Sequence, residues 1–140
     1  MTQEEKQLLL KDLCARLYCG VIVHTENGDG HLCSISQTVF GGVEYGVNVD
    51  PVIRDYFYDG NSEIKPYLRP MSSMTEEEKR EVRELGVSED GAFHNDVYDV
   101  GTSVEEAFTA ISWFLERHFD INYLIQRGLA LEAPKDIYKF

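Results

Sequence analysis

Residues 21–50 read VIVHTENGDGHLCSISQTVFGGVEYGVNVD, β-type sequence set between helix signals. Val21–Thr25 is rich in β-branched residues and predicts a strand. The following ENGDG predicts a turn, because Asn and Gly tolerate positive φ. His31–Phe40 predicts a second strand, with Gly41-Gly42 as a two-residue hairpin turn. Val43, Tyr45, Val47 and Val49 then alternate with Glu44, Gly46, Asn48 and Asp50. Period-two alternation of that kind belongs to a strand with one buried and one wet face. The expectation is an antiparallel sheet.

Helices flank this β region. Thr2-Gln3-Glu4-Glu5, Thr75-Glu76-Glu77-Glu78 and Ser103-Val104-Glu105-Glu106 all fit the S/T-x-x-E capping box. There the hydroxyl accepts from a free first-turn N–H and the glutamate reaches back to the cap's own N–H. The acids also suit the positive end of the helix dipole. The first helix is expected over Gln3–Leu17, with Leu9, Leu10, Leu13, Cys14 and Leu17 on one face. The second is expected over Glu76–Leu85, ended by Gly86 and supported by pairs such as Glu76 with Arg80. The third, Val104–Phe119, carries a broad stripe of Val104, Ala107, Phe108, Ile111, Phe114, Leu115 and Phe119, and reads as the central core helix. A short turn over Ile121–Arg127 would be capped by Asp120 and ended by Gly128. Val52, Ile53, Tyr56 and Phe57 share a helical face after Asp50-Pro51, which suggests a helical turn. Phe93–Val100 and Leu129–Glu132 read as short strands, and Gly86–Gly101 as the longest loop.

The segment IKPYLRPMSSM, residues 64–74, joins the β region to the second helix. Pro66 and Pro70 hold Lys65 and Arg69 extended, so it reads as an extended connector. A functional version has Tyr67 and Arg69 docking on a partner, as proline-rich segments do. It lacks a P-x-x-P pair, since three residues separate the prolines.

Composition narrows the function. A chain of 140 residues with 43% hydrophobic residues fits one domain over 1–140 with a real core. The longest apolar runs are short, so no span of a bilayer is expected. The start MTQEEKQLLLKDL is acidic, unlike a cleaved secretion signal. Three cysteines do not suggest a disulfide framework, and the expected setting is the cytoplasm with reduced thiols. The net charge is −12, and residues 75–106 alone hold eleven acids and three bases. Such a surface repels nucleic acid and anionic membrane, so direct nucleic-acid binding is disfavoured and a basic protein partner is allowed. The plainer reading is charge for solubility.

Residues with chemistry are few. His24, His31 and Cys33, with Cys14 and Cys19, are zinc-type ligands, but no C-x-x-C or H-x-x-x-H spacing holds them. His31 and Cys33 would share a strand face, a geometry open to a Cys–His nucleophile. His94, Asp96 and Asp99 read as a solvated loop. No phosphate loop, dinucleotide fingerprint, zinc-protease or serine-hydrolase motif is present in the sequence. No catalytic residue, cofactor or metal ligand is assigned. Trp113, beside the apolar stripe of the third helix, is a core-edge residue or part of an interface.

Three segments, 1–17 (MTQEEKQLLLKDLCARL), 64–82 (IKPYLRPMSSMTEEEKREV) and 114–134 (FLERHFDINYLIQRGLALEAP), resemble a group of small uncharacterised proteins. Gut Bacteroides, related bacteria and their phages encode that group. Its members often have Pro-Tyr-Gly where this chain has Tyr18-Cys19-Gly20. The resemblance implies a bacterial or phage cytoplasmic origin and transfers no activity, cofactor or site residue.

The expectation is therefore an α+β fold: a small antiparallel sheet of about three to five strands, with two main helices packed on one face. The expected function is a non-enzymatic accessory or interaction protein acting through an acidic surface. Tyr67, Arg69 and Trp113 are its candidate partner-binding residues, and a homodimer is allowed. One alternative is a small metal-binding protein or enzyme centred on His24, His31 and Cys33. Another is an acidic decoy that occupies a nucleic-acid-binding protein.

Overall fold

A computed structural model of the chain describes residues 2–37, 45–50, 53–58, 64–86 and 103–138. The Val21–Asp50 stretch folds as its alternation demands. Strand β1 (Ile22–Thr25) turns through Glu26 and Asn27 into β2 (Gly28–Gln37). The turn is closed by Thr25, whose Oγ1 donates to the Gly28 carbonyl at 2.7 Å and accepts from Asn27 N at 3.2 Å. The strand therefore starts within the expected turn. Gly30 pairs with Val23 there, and a Cβ at that position would collide with the Asp50 carbonyl oxygen. Only glycine allows so close an approach of β3 (Tyr45–Asp50) to β2.

Next come β4 (Ile53–Tyr58) and β5 (Ile64–Leu68), and a two-residue β6 (Leu131–Glu132) closes the sheet. The order is β4-β3-β2-β1-β5-β6. The first five strands pair antiparallel throughout, and β6 adds parallel to β5. The fold is α+β.

Two segments differ from the sequence reading. The Val52–Phe57 helical turn is instead strand β4 over residues 53–58, paired with β3 from Tyr45↔Tyr58 to Val49↔Ile53. The Ile, Tyr and Phe that gave a helical face are also strand formers, and a ready partner decides between the two. The extended connector IKPYL is itself a strand, lying between β1 and β6. Pro66 sits opposite Val23, and β6 pairs only from Tyr67 onward. The donor that proline lacks is thus not required on the β6 side.

The alternation sorts the sheet's faces. Val23 and Thr25, Leu32, Val47 and Val49, and Ile64 and Leu68 are buried. Helix α1 (Gln3–Ala15) lies against them through Leu9 and Leu13, with Leu124, Leu129 and Ala130 completing the cluster. Cys14, expected on that face, is exposed. The buried face of α1 is instead Leu9, Asp12, Leu13 and, one turn on, Arg16.

Helices α2 (Glu76–Glu84) and α3 (Val104–Glu116) form a second cluster. Met74, Val82, Ala110, Trp113, Phe114 and Phe119 make it. The capping boxes at Thr2 and Thr75 are complete, and Ser103 makes the hydroxyl half by accepting from Glu106 N. On α2 it is Lys79, not Arg80, that meets Glu76, at 3.2 Å.

Helix α3 stops three residues before the expected Phe119. His118 takes the left-handed conformation (φ 64°). Its N–H donates to the Leu115 carbonyl and that of Phe119 to the Phe114 carbonyl, each at 3.0 Å. This is a Schellman ending with His in the place where glycine usually sits. Leu124–Gly128 ends the same way, with Gly128 at φ 74° as expected. Asp120 accepts there from Leu124 N and Ile125 N, though the turn is not a regular helix.

Tyr138 ties the C-terminal segment to the sheet. Its hydroxyl donates to the Tyr67 carbonyl at 2.7 Å and accepts from Ile22 N at 2.9 Å. Those are the backbone groups just past the Val23↔Pro66 pair, so one phenol bridges β1 and β5 where their ladder ends. Burial pushes this phenol up to about 12, so the hydroxyl keeps its proton at neutral pH. Tyr138→Phe should cost about 1–2 kcal/mol, because two backbone groups lose a partner at once. A lower urea midpoint with an unchanged slope would show it, and an unchanged midpoint would mean water replaces the bridge.

Phe93–Val100, the Gly86–Gly101 loop, Gly41-Gly42, His94, Asp96 and Asp99 lie wholly or mainly outside the described residues.

Candidate functional site

The histidine and cysteine candidates sit on the first hairpin. The register pairs His24 with Asp29 and His31 with Ile22, so the two histidines are offset rather than opposed. His24 Nδ1 lies 2.8 Å from Asp29 Oδ1, and Tyr67 meets both the His24 ring edge-on and the Asp29 carboxylate. His31 Nδ1 is 3.4 Å from the Gly20 carbonyl. Cys33 lies at the bulge where the β2–β3 register shifts, and its thiol donates to the His31 carbonyl at 3.3 Å. Among the described residues no three His, Cys, Asp or Glu side chains converge as metal ligands.

Arg69 is a structural hub. Its guanidinium donates to both oxygens of Glu78, at 2.7 and 2.9 Å, and to the Arg117 carbonyl. It also lies 4.2 Å over the Phe119 ring. Its backbone bonds to His118 O and Asp120 N. Glu78 is at the same time the capping-box glutamate of α2. Burial raises the Glu78 carboxyl, but the Arg69 and Thr75 bonds outweigh it and hold it below the usual range. The IKPYLRPMSSMTEEE stretch is thus an assembled joint between the sheet, the start of α2 and the end of α3.

Trp113 is enclosed as well. Its ring stacks on Phe119 at 12° and meets Phe114 edge-on. Its Nε1 donates to Glu81 at 3.0 Å, and the Arg117 guanidinium lies 4.3 Å over it. Of the three candidate partner-binding residues, only Tyr67 lies on the sheet's outer side, alternating with buried Pro66 and Leu68.

Of the stripe expected in the core, Phe114, Leu115 and Phe119 are buried, but its N-terminal part is left open. Val104 is 87% exposed, Phe108 71% and Ile111 41%. They stand at i, i+4 and i+7 on the side of α3 away from Ala110, Trp113 and Phe114. Tyr18, 63% exposed, joins them, and its hydroxyl bonds Ser112, the residue after Ile111. Partial desolvation and the neighbouring Cys19 push this phenol up, against the Ser112 contact. Glu105 and Glu116 flank the row and are exposed, while Arg117, at the end of α3, is engaged with Glu81 at 3.1 Å. The signal in the sequence was the width of the stripe: α3 is apolar around most of its circumference, more than one packing partner can cover.

No family model, no curated protein and no solved structure matches this chain.

Proposed function

We propose that this is a non-enzymatic accessory or interaction protein, which meets an unidentified protein partner through an acidic surface. The observation that carries the reading is the row Val104, Phe108 and Ile111, exposed on a helix whose other side is packed in an aromatic cluster. Large apolar side chains standing together on a surface mark interaction sites. Glu105 and Glu116 along one side of the row give that face its sign. The bacterial or phage origin and the cytoplasmic setting belong to the same proposal.

Phe108→Asp tests it. The side chain is exposed, so folding stability should stay within about 0.5 kcal/mol of the parent. In parallel capture from a bacterial lysate, a protein held by the parent chain should be lost from the variant. Identical sets of retained proteins would reject this face as the working surface.

A further inference from the structure

We infer that the occupant of the α3 face is a basic amphipathic helix of a protein partner, an inference that rests on the interaction reading above. The geometry sets the shape. Val104, Phe108 and Ile111 form one straight ridge about 10 Å long, two helical turns. Leu115, next on the same line, is buried, and exposed Tyr18 stands beside the ridge near Ser112. A ridge of i, i+4, i+7 side chains is complementary to another helix that presents its own apolar row at the same spacing.

Charge sets the sign. Glu105 and Glu116 border the ridge on the side of Thr109 and Ser112 and are exposed. Arg117, the cation at the other end, is neutralised by Glu81 and lies over Trp113. A helix with Leu or Met along one side and Lys or Arg along the flank meets both features. A second copy of this chain does not: it would set Glu105 and Glu116 against their own kind, in two molecules of net charge −12 each.

The probe is a short fluorescent Leu/Lys peptide patterned as an amphipathic helix, titrated against the full chain by anisotropy. Its controls are the same residues in scrambled order and a Leu/Glu peptide of the same pattern. The patterned Leu/Lys peptide should bind, more weakly at higher salt. Phe108→Asp should weaken it about tenfold or more, and so should the double variant Glu105→Lys, Glu116→Lys. Equal binding of the scrambled peptide would reduce the effect to bulk charge and overturn the inference. So would binding of the Leu/Glu peptide. A dimer in native mass spectrometry that Phe108→Asp dissociates would make a second copy the occupant. Failure of the probe to bind, with a large loss of stability in Phe108→Asp, would mean that the chain covers the ridge itself. If the probe fails but Phe108→Asp still sheds a captured protein, the interaction reading stands and only the partner's chemistry falls.

Discussion

Asp12→Ala is expected to destabilise the protein by about 3–5 kcal/mol, a large share of the stability of a small domain. The side chains of Asp12 on α1 and of Arg16 at its C-cap are fully buried. Arg16 Nε donates to Asp12 Oδ1 at 2.6 Å and Nη2 to Oδ2 at 3.3 Å. Nη2 also donates to the Phe119 carbonyl at 2.7 Å, and Asn122 Nδ2 donates to Asp12 at 2.8 Å. The pair pins α1 to the segment that follows α3. Without Asp12, a desolvated guanidinium loses the carboxylate it is bonded to, and its Nη1 already has no hydrogen-bond partner among the described residues. Asp12→Leu with Arg16→Met should be far milder, since it removes the buried charge along with its partner. Urea unfolding of both variants checks this. A loss below about 1 kcal/mol for Asp12→Ala would mean that the pair is as weak as a surface bridge and that water reaches it.

Stability should also fall on mild acidification, through His118. The residue is 5% exposed, and its ring stacks on Tyr138 at 3.6 Å. Burial, with Arg16 and Arg69 nearby, pushes it down from 6.5 to about 4. The neutral ring is therefore the folded form. Between pH 6.5 and 4 the unfolded chain takes up a proton that the folded chain refuses, so folding weakens as the pH drops. At 1.36 kcal/mol per unit, the loss across that window is on the order of 3 kcal/mol. Above pH 6.5 this contribution is fully present. Glu78, whose carboxyl is held low, acts in the same direction but in a lower window, below its ordinary value of 4.5. His118→Asn separates the two, since Asn tolerates the left-handed backbone and does not titrate here. The variant should be weaker at pH 7 for want of the stack, yet nearly level from pH 6.5 to 4.5. An equally steep profile in the variant would assign the effect to another group.

Much of the frame was legible in the residues. The two capping boxes at Thr2 and Thr75 fix helix starts because both of their bonds are local. The Val21–Asp50 alternation fixes three strands because one face must be dry. Gly86 and Gly128 end their turns for the same local reason. Residue type alone is a poor guide to burial on α1. Cys14 is apolar yet exposed, while charged Asp12 and Arg16 are buried, and their spacing puts them on the face of Leu9 and Leu13. Local sequence does not mark His118 as a helix ending, because its carbonyl is held by Arg69 N and its ring by Tyr138, both distant along the chain.

The α+β class, the helix starts and the sign of the surface are legible along the chain, since these depend on local hydrogen bonding, periodicity and net charge. Tertiary structure decided the rest. It made a strand of 53–58 by offering β3 as a partner, and it folded Arg69 and Trp113 into the joint between α2 and α3. It also turned Val104, Phe108 and Ile111 outward. A helix apolar on most sides cannot say which side is covered. That depends on where its neighbours lie, and no spacing along one chain contains their positions.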